Sequence, residues 1–173
     1  MTKKEFLKAV SNGEEDIIQI LLDALLAANV DYCVIGGLAV NAYAEPVVSL
    51  DLDIVIATDE IETACKSLQD HLNIERFPHS VNLSSSKSDL RIQIQTDKRY
   101  QDFIPRAATR SVLGYDMKVA AVEDVLKGKI WAYSDEERRK SKRQKDLADI
   151  IRLIESFPHL ESELPNSLRR VIE

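Results

Sequence analysis

Residues 50–57, LDLDIVIA, alternate with a period of two: Leu50, Leu52, Ile54 and Ile56 share one face, and Asp51, Asp53, Val55 and Ala57 share the other. The segment reads as a strand with one oily side. Side chains two apart on a strand sit roughly 6 to 7 Å apart at their bases, so the two carboxylates can turn toward a common point. Like charges that close repel. The repulsion is relieved if both face water, if one takes a proton, or if a divalent cation lies between them, and hard oxygen ligands of this kind suit Mg²⁺ or Mn²⁺.

The segments around this strand describe an α+β chain. Residues 14–28, EEDIIQILLDALLAA, place Ile17, Ile18, Leu21, Leu22, Leu25 and Leu26 at helical spacing behind an acidic first turn. Tyr32 to Ile35 are β-formers ended by Gly36-Gly37, and Leu38 to Ala44 return to a helix-forming composition. Residues 59–72 read as a surface helix with Ile61, Cys65, Leu68 and Leu72 inward. Residues 74–95 hold two or three short strands, the clearest being LRIQIQ at 90–95, around a serine loop at Ser84 to Ser86. One more extended piece is expected at Met117 to Val119, and then two helical stripes: Val122, Val125, Leu126 and Ile130, followed by Leu147, Ile150, Ile151 and Ile154, stopped by Pro158. This is a mixed α/β pattern, a small mixed sheet flanked by helices with a helical C-terminal portion. It predicts one domain over 1–173, with N-terminal helices in 1–29, a core in 30–119 and C-terminal helices in 120–173.

Composition removes several classes of function. A formal charge of −6 over 173 residues argues against a broad basic coat for duplex DNA. No run of about 18 apolar residues and no secretion signal is present, so the expectation is a cytoplasmic protein without membrane contact. Cys33 and Cys65 are isolated and read as small buried hydrophobes, and His71, His79 and His159 lie at no zinc-ligand spacing.

Gly36-Gly37 falls between a strand and a helix, where unhindered backbone N–H groups can receive phosphate oxygens. No G-x-G-x-x-G fingerprint of a dinucleotide fold accompanies it. A phosphate cradle, a short helix and then paired carboxylates supply what phosphoryl chemistry requires, a triphosphate grip beside a metal seat. The stretch VIGGLAVNAY followed by PVVSLDLDIV resembles the signature of the nucleotidyltransferase superfamily, the DNA polymerase β-like fold, and is similar to its minimal bacterial members and the AbiEii-type toxin relatives. The segments VEDVLKGKIWAY and KRQKDLADI resemble that group's helical elements, so the likeness runs from 32 to about 155.

The resemblance implies a nucleotidyltransferase-like fold and a set of roles. Gly36, Gly37 and Ser49 would serve the nucleotide, with Lys129 and Lys145 as candidates for its phosphates or base. Asp51 and Asp53 would be the catalytic pair and bind Mg²⁺ or Mn²⁺ with Gln93 as a third ligand. The substrate would be a nucleoside triphosphate and the acceptor an RNA, a protein or a small molecule.

Two departures from the family pattern matter. Pro46, Val47, Val48 and Ser49 stand where the family carries proline, arginine, any residue and threonine, so one cation is missing. Gln93 stands where the family places a third carboxylate; its carbonyl oxygen can coordinate, but it brings no charge and cannot act as a base. Asp89 and Asp97 are each four residues away, about 13 Å along an extended chain, too far to replace it without a bulge. An active enzyme, a degenerate interaction module on the same scaffold and a plain scaffold with a solvent-facing Gln93 therefore all remain open.

The run Arg138, Arg139, Lys140, Lys142, Arg143, Lys145 could receive an RNA backbone or a triphosphate. Its competing reading is a solvated helix face, with Asp135 and Arg139, and Glu136 and Lys140, paired at i, i+4. No aromatics interleave with the run, and Trp131 and Tyr133 read as packing residues.

Overall fold

The first helix begins at a capping box: the Thr2 hydroxyl accepts from the Glu5 N–H at 3.1 Å, and the Glu5 carboxylate accepts from the Thr2 N–H at 2.6 Å. The computed structural model describes residues 1–173, and this helix, α1, is Lys3–Val10. The acidic run expected to start the next helix at residue 14 ends instead at Asp16, whose carboxylate accepts from the Gln19 N–H; α2 is Ile17–Ala27. It closes in Schellman geometry on Asn29 at φ +52, with the Val30 N–H on the Leu25 carbonyl at 2.9 Å. Ile17, Ile18, Leu21 and Leu25 are buried, whereas Leu26 of the same expected stripe is 81 % exposed.

The chain then builds a seven-stranded mixed sheet. Strand β1 (Tyr32–Ile35) runs straight into helix α3 (Gly36–Val40), which starts on the glycines and ends earlier than the expected Leu38 to Ala44 helix. Strand β2 is Asp51–Ile56. The expected helix at 59–72 divides into a 3₁₀ turn, Thr58–Glu60, and α4, Ile61–Leu68. Strands β3 (Asn73–Arg76), β4 (Ser80–Ser85) and β5 (Ser88–Gln95) follow, β4 and β5 joined at the serine cluster. After a 3₁₀ segment, Lys98–Arg106, the single expected extended piece proves to be a hairpin of β6 (Ala108–Val112) and β7 (Tyr115–Val119). Its two-residue turn holds Leu113 and Gly114 at φ +54 and +84, the positive pair that matches strand twist. Helices α5 (Val122–Ser134), α6 (Lys140–Ser156) and α7 (Asn166–Ile172) complete the chain.

The strand order is β3-β4-β5-β2-β1-β7-β6, with β2 antiparallel to β1 and parallel to β5, and β1 parallel to β7. Helix α5 packs along α6, and α3 touches both as well as β1 and β2. Along β2, Leu52, Ile54, Val55 and Ile56 have no exposed surface, so the strand is covered on both sides. Only Asp51 and Asp53 keep access to solvent. Cys33 and Cys65 are buried free thiols, and burial pushes Cys33 up to about 12. No helix is long and apolar enough to cross a membrane. The fold is the expected α+β arrangement of a mixed sheet with helices.

Candidate active site

Asp51 and Asp53 open onto a cleft of about 290 Å³ between the start of β2, β5, α5 and the N-terminal turn of α6. Register places Asp53 opposite Ile35 of β1 and opposite Gln93 of β5, and Asp51 opposite Arg91. The chain turns from β1 into α3 at Gly36, which holds φ +72. A side chain there would be strained by that backbone, and its Cβ would also collide with the Asp53 carboxylate. The glycine corner and the second aspartate are thus in van der Waals contact. Gly37 has ordinary room around it, with only Asp149 nearby, and does not line the cleft.

The two carboxylates differ in their partners. Asp51 is flanked by cations, Arg91 Nε at 3.4 Å from Oδ1 and Lys142 Nζ at 3.5 Å from Oδ2. Asp53 makes no ion pair. Burial raises its pKa, the Lys129 charge opposes that rise, and the neighbouring Asp51 adds to it. Such a carboxylate is destabilised as an anion until a cation joins it.

Lys129, on α5, lines the cleft with only 10 % of its side chain exposed. Its ammonium lies 3.0 Å from Asp146 and 2.8 Å from Asp149, both on α6. Burial pulls its pKa down, but the two carboxylates outweigh it, and the lysine stays charged. Two of its three N–H donors are engaged, which leaves one for a ligand. Arg138 closes the group on Asp146 at 2.7 Å, and Arg152 on Asp149 at 2.7 Å.

The other expected positions fall outside. Lys145 is exposed on α6 and does not line the cleft; Lys142, one turn earlier, does. The Ser49 hydroxyl is used within its own turn, accepting from the Asp51 N–H at 3.2 Å. The i, i+4 pairs expected for Asp135 with Arg139 and Glu136 with Lys140 do not form, because residues 135–139 make a turn and helix α6 begins at Lys140. The turn releases Arg138 and Arg139 into the cleft. Trp131 packs edge-on against Tyr100 at 5.1 Å and stacks on Phe103 at 5.7 Å, as a packing residue does.

The sequence offered Arg138 and Lys142 only as part of the basic run, and did not single out Asp146 and Asp149. A signal existed for the acidic pair: in KRQKDLADI they are three apart, on one helical face. Asn82 was also missed. It pairs in register with Gln93, lines the cleft, and its Oδ1 is buried without a protein partner.

No protein-family model matches the sequence, and no curated protein matches it. Solved structures do. The chain is similar to the antibiotic-resistance factor ANT(2″)-Ia in complex with adenylyl-2″-tobramycin, with a TM-score of 0.66 at 16 % identity over 90 % of this chain and 94 % of that one. It is similar to the lincomycin-bound lincosamide antibiotic adenylyltransferase LnuA, with a TM-score of 0.55 at 16 % identity over 82 % and 96 % of the two chains. It is also similar to an antigenic nucleotidyltransferase-like protein from Paracoccidioides brasiliensis, with a TM-score of 0.52 at 21 % identity over 89 % and 78 %. The chain has a nucleotidyltransferase fold. Within that fold, Asp51, Asp53 and the Gln93 carbonyl are among the oxygen donors in the cleft that could hold a divalent cation, and the Asp53 carboxylate, its pKa raised by burial and without an ion pair, fits one.

Proposed function

We propose that residues 1–173 form one nucleotidyltransferase-like domain that binds a nucleoside triphosphate with Mg²⁺ or Mn²⁺ and transfers a nucleoside monophosphate to an acceptor hydroxyl. The observation that carries this reading is the contact of Gly36 with Asp53 at the mouth of a cleft rich in cations. Gly36 lines the cleft with no side chain to block a phosphate, and Lys129, Arg138, Arg139 and Lys142 supply positive charge beside it. A divalent cation on Asp51 and Asp53 would lower the charge of the phosphates and polarise the phosphorus.

The acceptor oxygen would form a bond to the α-phosphorus as the bond to pyrophosphate breaks. Pyrophosphate would leave with the electron pair, and the hydroxyl proton would pass to water in the open cleft. The charge growing on the leaving group would fall among Arg138, Arg139 and Lys142. The protein's part is positioning and electrostatics. A small hydroxyl-bearing molecule is the preferred acceptor, by likeness to structures holding an adenylylated tobramycin and lincomycin. The Asn82 Oδ1, buried and unpartnered in the same cleft, would accept a hydrogen bond from it. A cytoplasmic setting suits a consumer of nucleoside triphosphates.

The test is calorimetric titration of ATP, GTP, CTP and UTP with Mg²⁺ into the wild type and Asp53→Ala. Binding by the wild type that Asp53→Ala loses supports the reading; equal signals in both remove it. Gln93, neutral and in register with Asp53, favours a second reading, a degenerate nucleotidyltransferase scaffold acting as an interaction module, such as a toxin–antitoxin component. Transfer of label from triphosphate by Gln93→Asp but not by wild type would favour it.

A further inference from the structure

The cations around Asp51 and the neutrality of Gln93 bear on how many metal ions the cleft can take, a question that rests on the nucleotide reading above. We infer that the cleft takes one divalent cation with the nucleotide, and that the Lys142 ammonium on Asp51 occupies the place of a second. No third acidic, histidine or cysteine side chain joins Asp51 and Asp53 to make a metal-binding group. The other carboxylates lining the cleft are already committed. Asp124 is held by two bonds from Arg106, at 2.7 and 2.9 Å, and Asp146 by Lys129 and Arg138. The position in register with Asp53 on β5 offers only an uncharged carbonyl.

Both oxygens of Asp51 face a cation, Arg91 on one side and Lys142 on the other, while Asp53 makes no ion pair and feels Lys129 only at longer range. One ion can therefore sit on Asp53, share an Asp51 oxygen and complete its shell with phosphate and water, which is how Mg²⁺ is usually bound. A second would have to displace Lys142 or Arg91 and would find no anion to replace them. It would also enter a cleft already lined by Arg91, Lys129, Arg138, Arg139 and Lys142.

The start of α6 supports the assignment independently. Its first turn carries Lys140, Lys142 and Arg143, no acidic residue and no side-chain cap. Cations in a first turn oppose the helix dipole, at about 0.3 to 1 kcal/mol each. A local preference broken in this way is expected where the charge serves a site. Asp51, 3.5 Å from Lys142, is what compensates it.

The experiment uses Mn²⁺ and a non-hydrolysable ATP analogue, read by electron paramagnetic resonance. Wild type is expected to bind a single Mn²⁺ per ternary complex with no spin-coupled pair, and Asp53→Ala to lose it. The double variant Lys142→Met/Gln93→Asp, checked for folding by its melting curve, is expected to bind two and show the coupled spectrum. A coupled pair in the wild type overturns the inference, as does a folded double variant that still binds one. Analogue bound without Mn²⁺ overturns it while leaving nucleotide binding by the cleft standing; absence of analogue binding removes both.

Discussion

Gly36 and Asp53 meet so closely that no side chain fits between them: a Cβ on the glycine would run into the Asp53 carboxylate, and the glycine holds φ +72. Two separate costs follow for Gly36→Ala, the left-handed backbone and the clash, together about 2 to 4 kcal/mol. Only the clash depends on Asp53. Chemical denaturation of Gly36→Ala, Asp53→Gly and the double variant should therefore show a coupling of about 1 kcal/mol or more, the double variant being more stable than additivity allows. Strict additivity would mean that the two residues do not touch.

Asp53 itself should lower the stability of the metal-free protein at neutral pH. Burial raises its pKa, Lys129 opposes the rise and Asp51 adds to it. A carboxyl whose folded pKa lies above its unfolded value contributes fully below the unfolded pKa, and that contribution is lost as pH rises through the folded one. Asp53→Asn removes the loss. In chelator the variant should exceed the wild type by about 1 kcal/mol near neutrality, with the gain fading as the carboxyl is protonated in acid. A gain independent of pH would place its cause elsewhere.

Lys129 and Lys145 stand as equals in the sequence and should part company in the folded protein. Lys129 is buried between Asp146 and Asp149, whereas Lys145 is exposed. Lys129→Met leaves the buried Asp146 and the half-buried Asp149 with one arginine each, a loss of about 3 kcal/mol, while Lys145→Met should stay within about 0.5 kcal/mol. Urea midpoints measure both.

Much of this arrangement is legible before folding because it is written in local periods. The alternation of 50–57, the stripe of α2 and the glycine corner each depend on neighbours a few residues away, and β1, β2 and β5 appear where those patterns place them. What is hidden depends on distant contacts. The β6 edge strand, with Ala108, Thr109, Arg110 and Ser111 all exposed, has no oily face to betray it. Residues 135–139 carry helical charge spacing, yet they turn, and Arg138 finds Asp146 instead. Lys142 rather than Lys145 lines the cleft because α6 begins only at Lys140, which puts Lys142 in the first turn at the cleft and carries Lys145 further along the helix, a boundary that charge spacing alone does not locate.

That placement divides the basic run into two groups, and nucleotide affinity should follow the division. Arg138, Arg139 and Lys142 line the cleft; Lys140 and Lys145 point to solvent, and Arg143 is tied to the Tyr133 carbonyl at 2.7 Å. Arg139 has no carboxylate partner, so removing its charge leaves no buried anion behind. Arg139→Ala should weaken a non-hydrolysable ATP analogue about tenfold, the effect of one lost charge-assisted contact, and flatten the salt dependence of binding. Lys140→Ala and Lys145→Ala should change it less than about twofold, since exposed charges that do not line the cleft act only through high-dielectric solvent. Calorimetry at two salt concentrations decides the matter. Equal losses in all three variants would show the run acting as one diffuse patch, and the cleft would lose its claim to the phosphates.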